Sequence, residues 1–357
     1  MRRKNRYIVN GALIFGSATA LGDIFLQWLE CRNKGIEFTW ENYNGMRTIK
    51  SSLIGATLGG SLGYGYYRYR IREEANLPFS PDDYLKRILT EEHLKANPAT
   101  FKNVIAYREK VKQWMFDKFR HKLVALPEDT GSFIKRTAIN SNYDLDIILP
   151  FSRWSHSSLK EMYYDVYEEV GKAFEGKATV TKQTKAIGIT FEKNGDIIHF
   201  DIVPGREINN YAIKKDLNLY VRPDFIWQKG SSFKTNIRVQ KTITVNRPEA
   251  RKVIKLLKVY RDRNCLPLPT LIIEQCVVEA LSENNFGIYT SETENLLNCM
   301  DYVSKKLKMK HIVDVTNSNN NLNNKISELQ RINISNQLRD DVERIEETPK
   351  YIKEIFE

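Results

Sequence analysis

The chain has 357 residues, of which 28% are charged and 41% hydrophobic, and it carries a formal net charge of +11. That length holds one large or two modest domains with appendages, and the composition is that of an ordinary folded protein. The basic excess favours anionic partners such as nucleotides, nucleic acid or acidic lipid headgroups. The four cysteines (Cys31, Cys265, Cys276, Cys299) form no Cys-x-x-Cys pair, which argues against a structural zinc and for a reduced, cytosolic domain.

The N-terminal stretch differs from everything after it. Arg2, Arg3, Lys4 and Arg6 precede an apolar, small-residue run from Tyr7 to Leu29, interrupted by Asp23 and Gln27. A second run, Ser51 to Tyr67, carries Gly55, Gly59, Gly60, Gly63 and Gly65, followed by Arg68, Arg70 and Arg72. A span needs ~20 residues, which Ile49 and Tyr69 extend the second run to reach. Its glycine spacing lets membrane helices pack closely. Basic clusters at both outer ends suit a transmembrane hairpin whose termini lie in the cytoplasm, although Arg32, Lys34, Arg47 and Lys50 in the linker weaken the contrast. Such a hairpin would anchor the chain to a membrane and offer a surface for homo-oligomers or a pore; the alternative is a soluble helical hairpin packed on the core. A signal peptide would need a small-x-small cleavage site after the first run, and none is clear. Leu21-Gly22-Asp23-Ile24, Gln27 and Met46-Arg47-Thr48 resemble the first half of the Mpv17 membrane family.

Leu77-Pro78-Phe79-Ser80-Pro81 is a turn-rich joint and marks a boundary. From Thr100 onward, Val104, Ile105, Val111, Trp114, Met115 and Phe119 recur at helical spacing, so this stretch reads as a long helix with a core-facing stripe. Next comes Gly131-Ser132, a turn at which backbone N–H groups can approach a phosphate, followed by the basic pair Lys135 and Arg136. Asp144 and Asp146 then stand two apart in the strand-like run Tyr-Asp-Leu-Asp-Ile-Ile-Leu. Residues i and i+2 of a strand share a face, so two like charges are held side by side, which favours a divalent cation between them. A second strand, Ile197 to Pro204, carries Asp201 in an apolar run, where a charge without a partner is costly. Three converging carboxylates beside a phosphate cradle suit a two-metal phosphoryl-transfer site.

The remaining segments are less specific. Ser157 to Phe174 reads as a helix and Lys177 to Phe191 as strands, on which Lys182 and Lys185 face either a phosphate or solvent. Asp196 follows the hairpin turn Asn194-Gly195 and reads as a turn residue. Tyr220 to Lys241, with Asp224, Trp227 and Thr235-Asn236, either lines a base or acceptor pocket or is a loop packed on the body. Pro248 opens a helix bearing Lys252, Lys255 and Lys258, and Leu271 to Leu281 forms another, buried one. Thr316 to Asn321 reads as a flexible Asn-rich linker, and Ile326 to Glu357 as an amphipathic tail that caps the body or binds a partner helix.

Gly-Ser, the basic-x-Thr-Ala-Ile run, Asp-x-Asp and the later Phe-Asp-Ile-Val-Pro together resemble the polymerase-β-type nucleotidyltransferase superfamily. Within it, the pattern is similar to the branch of oligoadenylate synthases, cGAS-like enzymes and bacterial CD-NTases. Ile254 to Tyr260 and Leu266 to Glu274 resemble the helical segment that follows the core in that branch. One departure is Arg136, where the family often has Gly. The resemblance implies an α+β fold, with a mixed β-sheet on a long spine helix and a C-terminal helical lobe. The chain then divides into a hairpin (1–76), a linker (77–99), a nucleotidyltransferase core (100–245), the helical lobe (246–315) and an Asn-rich linker with a tail helix (316–357). It further implies two Mg²⁺ or Mn²⁺ ions, with Asp144 and Asp146 holding both and Asp201 holding the one that activates an attacking hydroxyl. Gly131 and Ser132 would cradle the phosphates of an NTP or dNTP, assisted by Lys135, Arg136, Lys258 and, on the preceding turn, Lys255. The implied product is a cyclic or linear signalling oligonucleotide in an antiviral pathway, read by a downstream effector protein. A templateless or tRNA-end-adding polymerase, or a catalytically silent nucleotide-binding membrane scaffold, are the alternatives.

Overall fold

The computed structural model describes residues 3–33, 37, 39, 43–75, 79–93, 98–140, 145–193, 196–223, 228–282, 285, 287–309 and 311–357. Asp144, Asp224 and Trp227 thus lie outside the described residues. Contacts divide the chain into two compact units. One comprises residues 1–81, 260–266 and 343–357; the other comprises 82–259 and 267–342.

In the first unit, α1 (Arg3–Asn33) and α2 (Gly45–Ala75) pack along one another. Glycine makes the approach possible: a Cβ on Gly11 would lie 2.1 Å from the Gly59 carbonyl oxygen, and one on Gly59 equally close to that of Gly11. A polar cluster ties the pair together. The Asp23 carboxylate accepts from Thr48 Oγ1 and Gln27 Nε2, both at 2.7 Å, and pairs with Arg47 Nε at 2.8 Å. The large apolar side chains point outward, with Leu13, Leu21, Leu53 and Ile54 each more than 60% exposed. Small and polar groups inside with apolar groups outside is the reverse of a water-soluble hairpin. By length and composition one described helix, over Ile8–Arg32, is apolar enough to cross a membrane.

The second unit begins with α3 (Pro81–Glu91) and the spine helix α4 (Pro98–Phe119). Then come β1 (Glu128–Thr130), α5 (Gly131–Ile134), β2 (Leu145–Phe151), α6 (Leu159–Ala173), β3 (Thr179–Lys182), β4 (Ile187–Lys193) and β5 (Asp196–Glu207). They are followed by α7 (Tyr211–Lys214), β6 (Asp216–Val221), β7 (Ser231–Asn236), α8 (Ile237–Thr242), α9 (Pro248–Arg263), α10 (Thr270–Ala280) and α11 (Glu292–Lys308). The last elements are the two-stranded ribbon β8 (Val313–Asp314) and β9 (Asn317–Asn321), then α12 (Glu328–Glu347) and α13 (Ile352–Phe356). The ends of α9 and α12, and all of α13, fall in the first unit. There α13 touches α1, the Tyr260 and Phe356 rings lie 6.2 Å apart, and Asn264 Nδ2 donates to the Ile355 carbonyl.

The sheet is mixed and runs β1-β2-β5-β4-β3, with β6 on the far end of β5 and β7 beyond it. Among the described strands only β2 and β5 pair in parallel, and their register sets Asp146 opposite Asp201. Alternation decides what each face carries. Leu145, Ile147 and Leu149 of β2, with Ile198, Phe200 and Ile202 of β5, join Val104, Val111, Met115 and Phe119 of α4 in the main core. Asp146, Ile148, Asp201 and Val203 therefore belong to the opposite face. One expectation changes. The Asn-rich run expected as a flexible linker is the β8–β9 ribbon and a short 3₁₀ turn. It is pinned by the buried Asp314, which accepts from the Thr316 N–H and hydroxyl and from Asn320 Nδ2. Tyr220 to Lys241, whose sequence leaves pocket wall and loop open, includes β7 and α8 among its described residues and lines a cavity through Phe233, Thr235, Ile237 and Gln240.

Candidate active site

A cavity of about 430 Å³ opens on the face of the sheet away from α4. Thr130, Gly131, Asp146 and Asp201 line it, and Ile148, Val203, Leu219 and Phe233 form its apolar wall. Gln183 and Lys185 enter from the β3–β4 turn, and Asp314, Thr316 and Lys325 from the Asn-rich ribbon. Strand register brings the two acids together: Thr130, Asp146 and Asp201 are successive cross-strand partners on β1, β2 and β5.

Gly131 is where the cradle meets the acids. Its φ is +68°, in the left-handed region, and a Cβ there would lie 1.6 Å from Asp146 Oδ2. The carboxylate thus occupies the space that any other residue type would fill. The N–H groups of a four-residue helix such as α5 have no intrahelical acceptor, so the Gly131-Ser132 turn presents donors beside the carboxylates. Beneath it, the Thr137 and Ala138 N–H groups donate to the Ser132 carbonyl at 2.9 and 3.1 Å and close the loop.

Asp201 is oriented by its neighbours. Its Oδ1 accepts from Gln183 Nε2 at 2.6 Å and lies 2.9 Å from His199 Nε2. A carboxylate can only accept, so His199 donates to it from Nε2, while its Nδ1 lies 2.8 Å from Thr190 Oγ1. Lys185 Nζ sits 3.3 Å from the centre of the Phe233 ring. Burial, and then the nearby Lys325 charge, push its pKa down to about 8, while Asp314 opposes them.

Of the expected phosphate-binding residues, Gly131 lines this cavity and Ser132 follows it in the loop. The four cations do not line it. Lys135 is paired with the fully buried Glu274 at 2.5 Å, and Glu274 also accepts from Thr137 Oγ1. Lys258 is buried and donates to the Thr137 carbonyl at 2.9 Å. Both act as struts under the loop. Arg136, with φ +58°, and Lys255 line a different cavity. Lys182 lies over the Tyr167 ring at 4.3 Å. Among the described residues no group of three His, Cys, Asp or Glu side chains is placed to hold a metal; Asp144, the third acid of the expected set, is outside them. Sequence reasoning passed over His199 and Gln183. His199 was legible as the residue two before Asp201 on one strand face, whereas Gln183 arrives through a register that no local pattern encodes.

No family model and no curated protein matches the chain. Solved structures do. The Bradyrhizobium diazoefficiens CD-NTase CdnG in complex with GTP aligns with a TM-score of 0.63 at 12% identity, covering 77% of this chain and 95% of that one. E. coli MS115-1 CdnC with ATP aligns at 0.59 and 16% identity, over 77% and 97% of the two chains. The Elizabethkingia meningoseptica cyclic dinucleotide synthase CdnE, with GTP and Apcpp, aligns at 0.52 and 16% identity, over 74% and 98%. The chain therefore has the CD-NTase fold. These comparisons give no support to the Mpv17 likeness of the N-terminal hairpin.

Proposed function

We propose that the chain is a metal-dependent nucleotidyltransferase that joins NTPs or dNTPs into a short cyclic or linear oligonucleotide, releasing pyrophosphate. One observation carries this reading. Asp146 and Asp201 are register partners on adjacent parallel strands, and Gly131 exists as glycine because the Asp146 carboxylate fills its Cβ position.

The donor set fits hard divalent cations, since carboxylate oxygens suit Mg²⁺ or Mn²⁺ and a cross-strand acid pair is otherwise repulsive. Asp146 and Asp201, with Asp144 two residues before Asp146 in the chain, would hold two such ions, which supply charge neutralisation at the phosphates and a more acidic attacking hydroxyl. The rest falls to the chain's own groups. His199 and Gln183 hold the Asp201 carboxylate in place, and the Gly131-Ser132 turn donates to the phosphates. The apolar wall with Phe233 accepts a base, and Lys185 and Lys325 add positive charge. We assign the N-terminal hairpin as a membrane anchor with the catalytic unit in the cytoplasm, where NTPs are available. The product would act as a defence signal to a separate effector.

The test is mass spectrometry of the detergent-purified full chain incubated with NTPs or dNTPs and Mg²⁺ or Mn²⁺. Short oligonucleotides with released pyrophosphate are expected. Nucleotides added only to tRNA 3′ ends would overturn the signalling reading, and no product from any mixture would leave a binding scaffold.

A further inference from the structure

Arg136 and Lys255 meet in a second cavity of about 570 Å³, within the range of small-molecule sites. His93, Phe101, Phe133 and Ile134 complete most of its wall, and among the described residues it shares no lining residue with the aspartate cavity. The short helix α5 separates the two: Gly131 at its start lines one, and Phe133 and Ile134 at its end line the other.

The chemistry of this cavity suits an anion. Burial, and then the like charge of Arg251, hold the Lys255 ammonium below its ordinary pKa, and among the described residues no carboxylate opposes them. Desolvating a cation without a counter-charge is costly, and Lys135 and Lys258 show how this chain otherwise handles the problem, with a carboxylate and a carbonyl respectively. The walls are aromatic. Phe101 and Phe133 are stacked with centroids 6.3 Å apart and planes at 27°, and the Arg108 guanidinium covers the Phe133 ring at 5.1 Å. A ligand suited to both features carries an anionic group and a planar ring.

We propose that this cavity is a second, regulatory site for a nucleotide-class ligand, its phosphate held by Arg136 and Lys255 and its ring against the Phe101 wall. The site is linked to the phosphate loop through the backbone. Arg136 directly precedes Thr137, and the N–H groups of Thr137 and Ala138 close that loop on the Ser132 carbonyl. A ligand drawing on Arg136 therefore acts on the geometry of Gly131 and Ser132 without entering the aspartate cavity.

Photolabelling of the full chain with 8-azidoadenosine triphosphate in EDTA, where metal-dependent turnover is off, tests this directly. Label is expected on the peptide containing Phe101. Arg136→Asn, which tolerates a positive φ, combined with Lys255→Met should reduce that label by at least about tenfold and spare any label on the peptide containing Phe233. Should the double variant melt early, Lys255→Met alone in the same assay decides. No label at Phe101, or Phe101 labelling unchanged by loss of the cations, would overturn the proposal.

Discussion

At Gly131 a backbone requirement and a site requirement fall on one atom. Alanine there would place its Cβ 1.6 Å from Asp146 Oδ2 at a φ of +68°. The left-handed conformation alone costs a non-glycine residue about 1–2 kcal/mol, and the clash must also displace the carboxylate. Gly131→Ala is therefore expected to abolish nucleotide incorporation while the far-UV circular dichroism stays native. His199→Ala removes a positioning residue and should lower the rate or the metal affinity by about 10–100-fold, a loss that added Mn²⁺ reverses in part. Lys185 supplies a pH signature. Its pKa is about 8 in the fold against 10.5 for an ordinary lysine, so between those values the unfolded chain holds a proton that the folded chain lacks. Stability should rise with pH across that window, and Lys185→Met should flatten the rise in thermal unfolding. An anion bound beside Lys185 restores its proton, so nucleotide binding near pH 8 should take up protons, measurable by calorimetry in two buffers. The meeting of Asp146 with Asp201 was legible in the sequence because a charge in a β-branched run demands a partner; for Lys185 the sequence left phosphate and solvent open, because its neighbours Phe233 and Lys325 lie far along the chain.

Elements explain why the cations expected at the triphosphate went elsewhere. The loop after α5 has to be held against the helices α9 and α10, and Lys135, Lys258 and Glu274 do this with a buried ion pair and two hydrogen bonds through Thr137. Helix spacing placed Lys258 on a face but could not say whether that face met a ligand or a carbonyl. Removing one member of a buried pair leaves an uncompensated charge, so Glu274→Ala should cost about 3 kcal/mol or more in chemical unfolding. The Asn-rich ribbon was misread for a related reason. Its composition matches a linker, but Asp314 satisfies the Thr316 and Asn320 side chains locally and turns a polar run into a folded wall of the cavity. In the N-terminal hairpin the glycine pattern was legible because close helix packing leaves a direct trace in the sequence. Gly59→Leu should separate α1 from α2, raising tryptic cleavage at Arg47 in detergent, since Gly11 leaves no room for a side chain.

The whole molecule follows a division that local pattern did not reveal, because it depends on contacts far apart in sequence. The hairpin, the end of α9 and the tail from residue 343 form one unit, while the sheet, spine helix and Asn-rich ribbon form the other. The tail, open between a cap and a partner helix from its sequence, places Phe356 against Tyr260 within the first unit. If the outward apolar surface of α1 and α2 lies in lipid, the full chain should pellet with membranes and require detergent for extraction, at high salt as well as low. Recovery in the salt-washed supernatant would return the hairpin to a soluble role. The central claim concerns the second unit, and pyrophosphate release tests it most directly. Measured with NTPs and Mg²⁺, release should be present in the wild-type chain and lost in both Asp146→Asn and Asp201→Asn, with unfolding transitions close to wild type. Release that persists in either folded variant would contradict a reaction centred on these two carboxylates.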